Sequence, residues 1–120
     1  MDMSLEFQPG QIVSLNHGDT NLYAEVIQVV VSRQLCWVRP LVLVNFIPEP
    51  PHLTDLRDSS DLLWPVNLFR PALDTEVITI LSQILAKETK SESDSAAKQQ
   101  LHQFIHQVWQ LYQEGLGAGD

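Results

Sequence analysis

The spacing of apolar residues changes near residue 73, and this change limits the possible folds more than any other feature of the chain. From Gln11 to Phe46 the sequence is rich in Val, Leu and Ile with polar residues interspersed, which is typical of β-strands. From Asp74 onward the apolar residues recur with the period of an α-helix. The whole chain has 120 residues, enough for one small domain or for two parts that share a core. We therefore expect an α+β chain with its strands first and its helices last.

Five short strands are predicted in the first part of the chain. They cover Gln11–Leu15, Leu22–Val31, Leu35–Val44, Leu62–Pro65 and a short stretch within Val66–Leu73. The second strand has apolar residues at both even and odd positions, so either both of its faces are covered or a bulge near Gln28 changes the buried face. Pro40 cannot donate to a ladder, which marks an edge, a bulge or a change of pairing partner. The polar segment Leu53–Asp61 predicts a loop.

Three segments resemble an SH3-like small barrel: PGQIVSL at residues 9–15, YAEV at residues 23–26 and WPVNLF at residues 64–69. The resemblance covers residues 7–73 and implies a small five-stranded β-barrel that serves as an interaction module. The peptide-binding subtype uses a cluster of exposed tyrosines, whereas this region has only Tyr23, which disfavours proline-rich ligands. The whole chain also resembles a small, uncharacterised cyanobacterial family.

Two amphipathic helices are predicted after residue 73. The first has its apolar residues on one face, with Asp74 or Thr75 as its N-cap. A polar link over Lys87–Ser95 precedes a second helix with a longer apolar stripe, which Gly115 is placed to end. Two such helices predict an antiparallel hairpin. The expected organisation is a barrel over residues 1–73 and a helical hairpin over residues 74–120, packed on the barrel or on a partner, with a flexible Gly-rich end.

The charge and the cysteine content exclude several classes of protein. Seven Lys and Arg against fifteen Asp and Glu leave a formal net charge of −8, which repels phosphate backbones and anionic membranes. The apolar runs are too short to cross a bilayer. The single cysteine, Cys36, permits neither an internal disulfide nor an all-thiolate zinc site. Because the first six residues include two acids and no base, we expect no secretory signal and a cytoplasmic protein.

Two groups of potential metal ligands occur in the sequence. His102 and His106 stand four residues apart, a spacing that brings two imidazoles to one metal, but no third ligand is evident nearby. Asp55, Asp58 and Asp61 recur every three residues, without the alternation or the internal glycine of a calcium-binding loop. We therefore predict a polar helix flank and a solvated loop, with no metal site.

One turn collects residue types that also occur in nucleophilic catalysis. His17 and Asp19 lie near Ser14 and Thr20, but turn chemistry alone favours these residues, and no nucleophile elbow surrounds them. Cys36 lies within an apolar strand, where a small buried core residue is the ordinary expectation. We therefore predict neither an enzyme nor a cofactor site.

The arginines next to proline are the most informative polar residues. Arg39 and Arg70 each follow an aromatic or apolar residue, in a chain with only four arginines. Either they form bidentate pairs that fasten loops such as Asp55–Asp61, or they belong to an exposed patch, since Arg and aromatic residues are favoured at interface hot spots. The residues predicted for a protein interface are Trp37, Arg39, Trp64, Phe69, Arg70, Phe104, Trp109 and Tyr112.

These observations predict a non-catalytic protein-protein interaction module that could act as an assembly or regulatory factor. Its partner is another protein or a second copy of the chain, because the apolar stripe of the second helix is longer than a small barrel needs. Two alternatives stay open at this point. One is an RNA-binding small barrel, because small barrels often bind RNA, although the acidic charge disfavours nucleic acid. The other is a small metal-binding protein.

Overall fold

The computed structural model describes residues 7–47, 49–86 and 94–118, and within them six strands precede two helices. The strands are β1 (Ile12–His17), β2 (Thr20–Val30), β3 (Leu35–Asn45), β4 (His52–Asp55), β5 (Leu62–Pro65) and β6 (Arg70–Pro71), and the helices are α1 (Asp74–Ala86) and α2 (Asp94–Ala118). The α+β class is confirmed. The strand β4 occupies part of the segment for which a loop was predicted. Most of the predicted link, and the last two residues of the predicted Gly-rich end, lie outside the described residues.

The strands form one antiparallel sheet in the order β4-β3-β2-β1-β6. The central hairpin of β2 and β3 is long, and Gly18, at a φ of 60°, turns the chain between β1 and β2. The outer edge of β3 is shared by two strands, because β5 pairs with Leu35–Val38 and β4 pairs with Val42–Asn45. Among the described residues, the edge of β1 opposite β2 pairs with the two-residue strand β6.

Two bulges interrupt the pairing of β2 with β3. The first leaves Ile27 without a partner between Val26 and Gln28, which confirms the bulge predicted near Gln28. The second leaves Leu41 unpaired next to Pro40, at the point where the outer edge of β3 changes from β5 to β4. After each bulge, the side chains that follow point to the opposite face of the sheet. Both faces of this hairpin therefore present apolar side chains.

The expected closed SH3-like barrel is wrong, because the sheet is open. Closing a barrel requires the two edge strands to pair with each other. Here β4 and β5 both lie against β3 at one edge, while β6 lies against β1 at the other. Within the described residues no strand joins these two edges; instead, α2 covers one face of the sheet and α1 covers part of the other.

The expected helical hairpin is also wrong, because α1 and α2 pack on opposite faces of the sheet. We call the face under α2 the α2 face, where Leu101, Phe104 and Val108 join the main core. That core contains Phe7, Val13, Leu15, Leu22, Ala24, Val26, Cys36, Val38, Leu43, Leu56, Val66 and Phe69. On the opposite α1 face, Tyr23, Val42 and Val44 form a smaller cluster, with Ile80 of α1 against it.

The helix ends differ from the prediction as well. Leu73, not Asp74 or Thr75, lies at the N-cap of α1, because its N–H donates to the Glu76 carboxylate and its carbonyl accepts from Val77. At the other end of the chain, α2 continues through Gly115 to Ala118. A glycine with no following turn signal lowers helix stability without ending the helix.

Candidate interaction surfaces

The structure distributes the eight predicted interface residues over three places. Phe69 and Phe104 are buried in the main core. Trp64 of β5 forms an aromatic row with Trp109 and Tyr112 of α2. Of the other three, Trp37 and Arg39 lie together on the α1 face, and Arg70 lies at the opposite edge of the sheet on β6. The prediction of an interface stays a prediction, but its residues do not form one continuous surface.

The first surface, which we call the Trp37 patch, consists of Trp37, Arg39, Asp61 and Leu63. Trp37 and Leu63 are cross-strand partners on β3 and β5, and both side chains are exposed. The Trp37 indole N–H donates to Asp61 Oδ2 at 2.9 Å, and Arg39 Nε donates to Asp61 Oδ1 at 3.4 Å. One carboxylate therefore orients both the indole and the guanidinium on an open part of the sheet.

The contact of Arg39 with Asp61 bears on the two explanations offered for the arginines. Asp61 ends the predicted loop, so this pair does join loop and strand, but only the Nε of Arg39 takes part in the hydrogen bond. The bidentate pair in this region is a different one, in which Arg57 Nε and Nη2 donate to Asp55 at 2.9 and 2.7 Å. The Nη groups of Arg39 have no hydrogen-bond partner in the described part of the chain, and the side chain is largely exposed.

The second surface is the aromatic row formed by Trp64 of β5 with Trp109 and Tyr112 of α2. The rings of Trp109 and Tyr112 are stacked with their centroids 5.3 Å apart, and Trp64 of β5 lies 6.2 Å from Trp109. Trp64 also packs against the main core. The row therefore closes one side of the core, and its exposed portion is mainly the Trp109 ring.

The third surface centres on Glu76, which the sequence reasoning missed. Tyr23 donates its hydroxyl to Glu76 Oε2 at 2.5 Å, and the Leu73 N–H donates to Oε1 at 3.0 Å. Arg70 Nη1 lies 3.6 Å from Oε1. A Glu three residues after a helix start is a sequence signal for a cap, but nothing in the sequence indicates that the same carboxylate meets a tyrosine more than fifty residues away.

The pKa values at Glu76 and Tyr23 are shifted in opposite directions. Burial acts to raise the pKa of Glu76, but the hydrogen bonds from Tyr23 and Leu73 and the charge of Arg70 outweigh it, so the pKa is lowered. Burial raises the pKa of Tyr23, and its hydrogen bond to the Glu76 carboxylate raises it further. Both shifts favour a neutral phenol donating to an ionised carboxylate.

The residues considered for nucleophilic catalysis do not come together. Ser14 lies on the α1 face, cross-strand from Tyr23, whereas His17 lies on the α2 face with its ring edge against Phe104 at 6.1 Å between centroids. Cys36 is fully buried, and this burial raises the pKa of its thiol, which disfavours the reactive thiolate.

The candidate metal ligands are also accounted for. His102 and His106 are both exposed on the flank of α2. Within the described ranges, no three side chains of His, Cys, Asp or Glu come together in a way that could hold a metal ion. Asp55 and Asp61 instead contact Arg57 and Arg39.

No helix in the described part of the chain has both the length and the apolar character needed to cross a membrane. In comparisons with known proteins, no family model, no curated protein and no solved structure matches this chain.

Proposed function

We propose that this chain is a non-catalytic protein-protein interaction module and that the Trp37 patch is its contact surface. The observation that carries the proposal is an exposed tryptophan held in one orientation. Trp37 is 39% exposed although its indole is bound to Asp61, and its neighbour Leu63 is 54% exposed. When large apolar side chains lie side by side on an open sheet face, covering them with a partner is energetically favourable.

The composition of the patch suits a hot spot of binding energy. Tryptophan and arginine are enriched among interface residues whose loss costs the most affinity. The hydrogen bond to Asp61 restricts the Trp37 ring before a partner arrives, which lowers the entropy lost on binding. Leu63 extends the apolar area without adding a polar group that would have to be desolvated.

The polar rim of the patch indicates the chemistry of the partner. Asp61 takes only the Nε donor of Arg39, and the arginine side chain is 50% exposed. The two Nη groups can therefore bind a carboxylate at the edge of the interface. The expected partner is a protein that presents an apolar side chain to Trp37 and Leu63 and an Asp or Glu to Arg39.

Site-specific photo-crosslinking in the cells that produce this chain tests the proposal. A photoreactive amino acid replaces Leu63 in one version and Leu111 in the other. Leu111 is a matched control, because it has the same residue type, the same 54% exposure and a position on α2 instead of the patch. We expect a discrete crosslinked protein from position 63 and none from position 111.

Two variants sharpen the crosslinking result. Trp37→Ala and Arg39→Glu should each reduce the crosslink at position 63 by at least about fivefold, as expected for hot-spot residues. Arg33→Glu, on the turn between β2 and β3, should leave it unchanged. Equal products from positions 63 and 111, or a crosslink insensitive to Trp37→Ala, would contradict the proposal. The mass of the product shows whether the partner is a different protein or a second copy.

A further inference from the structure

Three hydrogen-bond donors form a row across the α1 face of the sheet. Ser14 of β1 is the cross-strand partner of Tyr23 on β2 and of Arg70 on β6. The three side chains therefore stand next to one another on the same face. We call Arg70, Ser14 and Tyr23 the donor row. The row offers a guanidinium and two hydroxyls, which is a suitable set of donors for a carboxylate.

The donor row already holds a carboxylate from the same chain. Glu76 of α1 accepts the Tyr23 hydroxyl at 2.5 Å and lies 3.6 Å from Arg70. Tyr23 is itself oriented by Asn21, whose Nδ2 donates to the tyrosine oxygen at 3.2 Å. The Ser14 hydroxyl is fully buried and has no hydrogen-bond partner among the described residues. The site thus retains an unused donor next to the two that Glu76 engages.

The described part of the helix that supplies this carboxylate is only partly buried against the sheet. Among the described side chains of α1, residues 74–83, none is fully buried. Val77, Ile80 and Leu81 lie against Ile12 and Tyr23 of the sheet but remain partly exposed. Removing α1 would uncover the apolar cluster of Tyr23, Val42 and Val44.

We propose that the donor row and this apolar cluster form a second docking site, for an amphipathic helix of a partner protein, and that α1 is the internal ligand that this helix displaces. A partner helix that fits this site carries a carboxylate at position i and apolar side chains at positions i+4 and i+5, as α1 does with Glu76, Ile80 and Leu81. Charge complementarity with Arg70 and the template given by α1 specify this occupant. The site goes beyond the Trp37 patch and can be tested separately.

A peptide of residues 73–86 serves as the probe, with fluorescence polarisation as the measurement. Ile80→Asp in the full chain places a charge in the apolar seat and should release α1, while α2 and the main core stay intact. Ile78→Asp is the matched control, because Ile78 is 64% exposed on the solvent side of the same helix. We expect the peptide to bind the Ile80→Asp chain at least about tenfold more tightly than the Ile78→Asp chain.

The donor row is tested with a second peptide that has Gln in place of Glu76. This peptide should bind the Ile80→Asp chain about tenfold more weakly than the original peptide, since a neutral amide loses the charge-assisted bonds. Adding Arg70→Ala to the Ile80→Asp chain should remove most of this difference. A folded Ile80→Asp chain that binds neither peptide, or both equally, would overturn the proposal.

Hydrogen exchange keeps the proposal testable if Ile80→Asp unfolds the chain. In the otherwise unmodified chain, Glu76→Gln should accelerate amide exchange in α1 by about tenfold and leave α2 unchanged. Unchanged exchange in α1 would show that Glu76 does not hold the helix and would overturn the inference. A dimer of the unmodified chain that dissociates when the peptide is added would assign the seat to a second copy, and would overturn the partner helix proposed here.

Discussion

The two faces of the sheet are covered by helices that are held in different ways. On the α2 face, Leu101, Phe104 and Val108 are 6%, 4% and 6% exposed, so apolar burial fixes the helix. On the α1 face, Ile80 and its neighbours are only partly buried, and the polar junction at Glu76 supplies the most specific contacts.

The two helices differ in the number and the kind of such contributions. Full burial of one aliphatic or aromatic side chain contributes about 1.5–3 kcal/mol. A hydrogen bond to a charged group contributes about the same amount, ~1.5–3 kcal/mol, but only while the group is ionised. Among the described side chains, three buried ones hold α2, whereas one ionised side chain and a partly buried stripe hold α1. We therefore expect the described part of α1 to be held less firmly than α2.

The largest expected effect compares one core residue from each helix. Phe104→Ala should lower the free energy of unfolding by about 3–5 kcal/mol, because it leaves a cavity under α2. Ile80→Ala should lower it by about 1 kcal/mol, because part of that side chain is already in contact with water. Urea unfolding followed by circular dichroism measures both values.

The same experiment can reverse the comparison. If Ile80→Ala costs as much as Phe104→Ala, then α1 is part of the cooperative core and is not a separable cover. Ile78→Ala provides the control within α1, since its exposed side chain should change the stability by no more than about 0.5 kcal/mol.

The second prediction concerns the pH dependence of the α1 face. Because the pKa of Glu76 is lower in the folded chain than its ordinary value of about 4.3, its contribution is complete above that value and is lost as the pH falls below it. At pH 7, Glu76→Gln should lower the free energy of unfolding by about 1–2 kcal/mol. The difference between the two proteins should shrink as the pH falls through the folded-state pKa of Glu76.

Comparing two proteins that share all other carboxylates isolates the effect of Glu76. Tyr23 and Arg70 are the groups that face Glu76 from the sheet, and the raised pKa of Tyr23 keeps its phenol neutral between pH 3 and pH 7. A difference that stays constant over this range would show that the amide replaces the carboxylate poorly for reasons of shape. In that case the α1 face would not depend on ionisation.

Much of the local structure follows from the sequence, for physical reasons that can be traced to particular residues. Alternating apolar residues place β1, β2 and β3, and the mixed pattern of β2 requires a bulge, which the structure has at Ile27. The period of α2 identifies Leu101 and Phe104 as buried. These features depend on neighbours along the chain, so the sequence contains the information.

The remaining features depend on pairings between distant segments. Apolar residues on both faces of β2 are equally compatible with a closed barrel and with an open sheet between two helices. The choice follows from where β4, β5 and β6 pair, and short strands carry little signal of their own. The Glu76 junction is a similar case, because it joins α1 to Tyr23 of β2, which lies 53 residues earlier in the sequence.

The smallest expected effect concerns the uncovered part of the α1 face. Arg39→Ala should change the free energy of unfolding by no more than about 0.5 kcal/mol, because its ion pair with Asp61 is single, 3.4 Å long and largely exposed to solvent. Arg33→Ala is the matched control, and urea titrations should give overlapping midpoints for the two variants. A loss of about 2 kcal/mol or more for Arg39→Ala alone would mean that the arginine fastens the loop before β5. The patch would then be as firmly built as the α2 face, and its residues would be explained by stability. Overlapping midpoints would show that the ion pair does not fasten the loop, as the proposed contact surface requires.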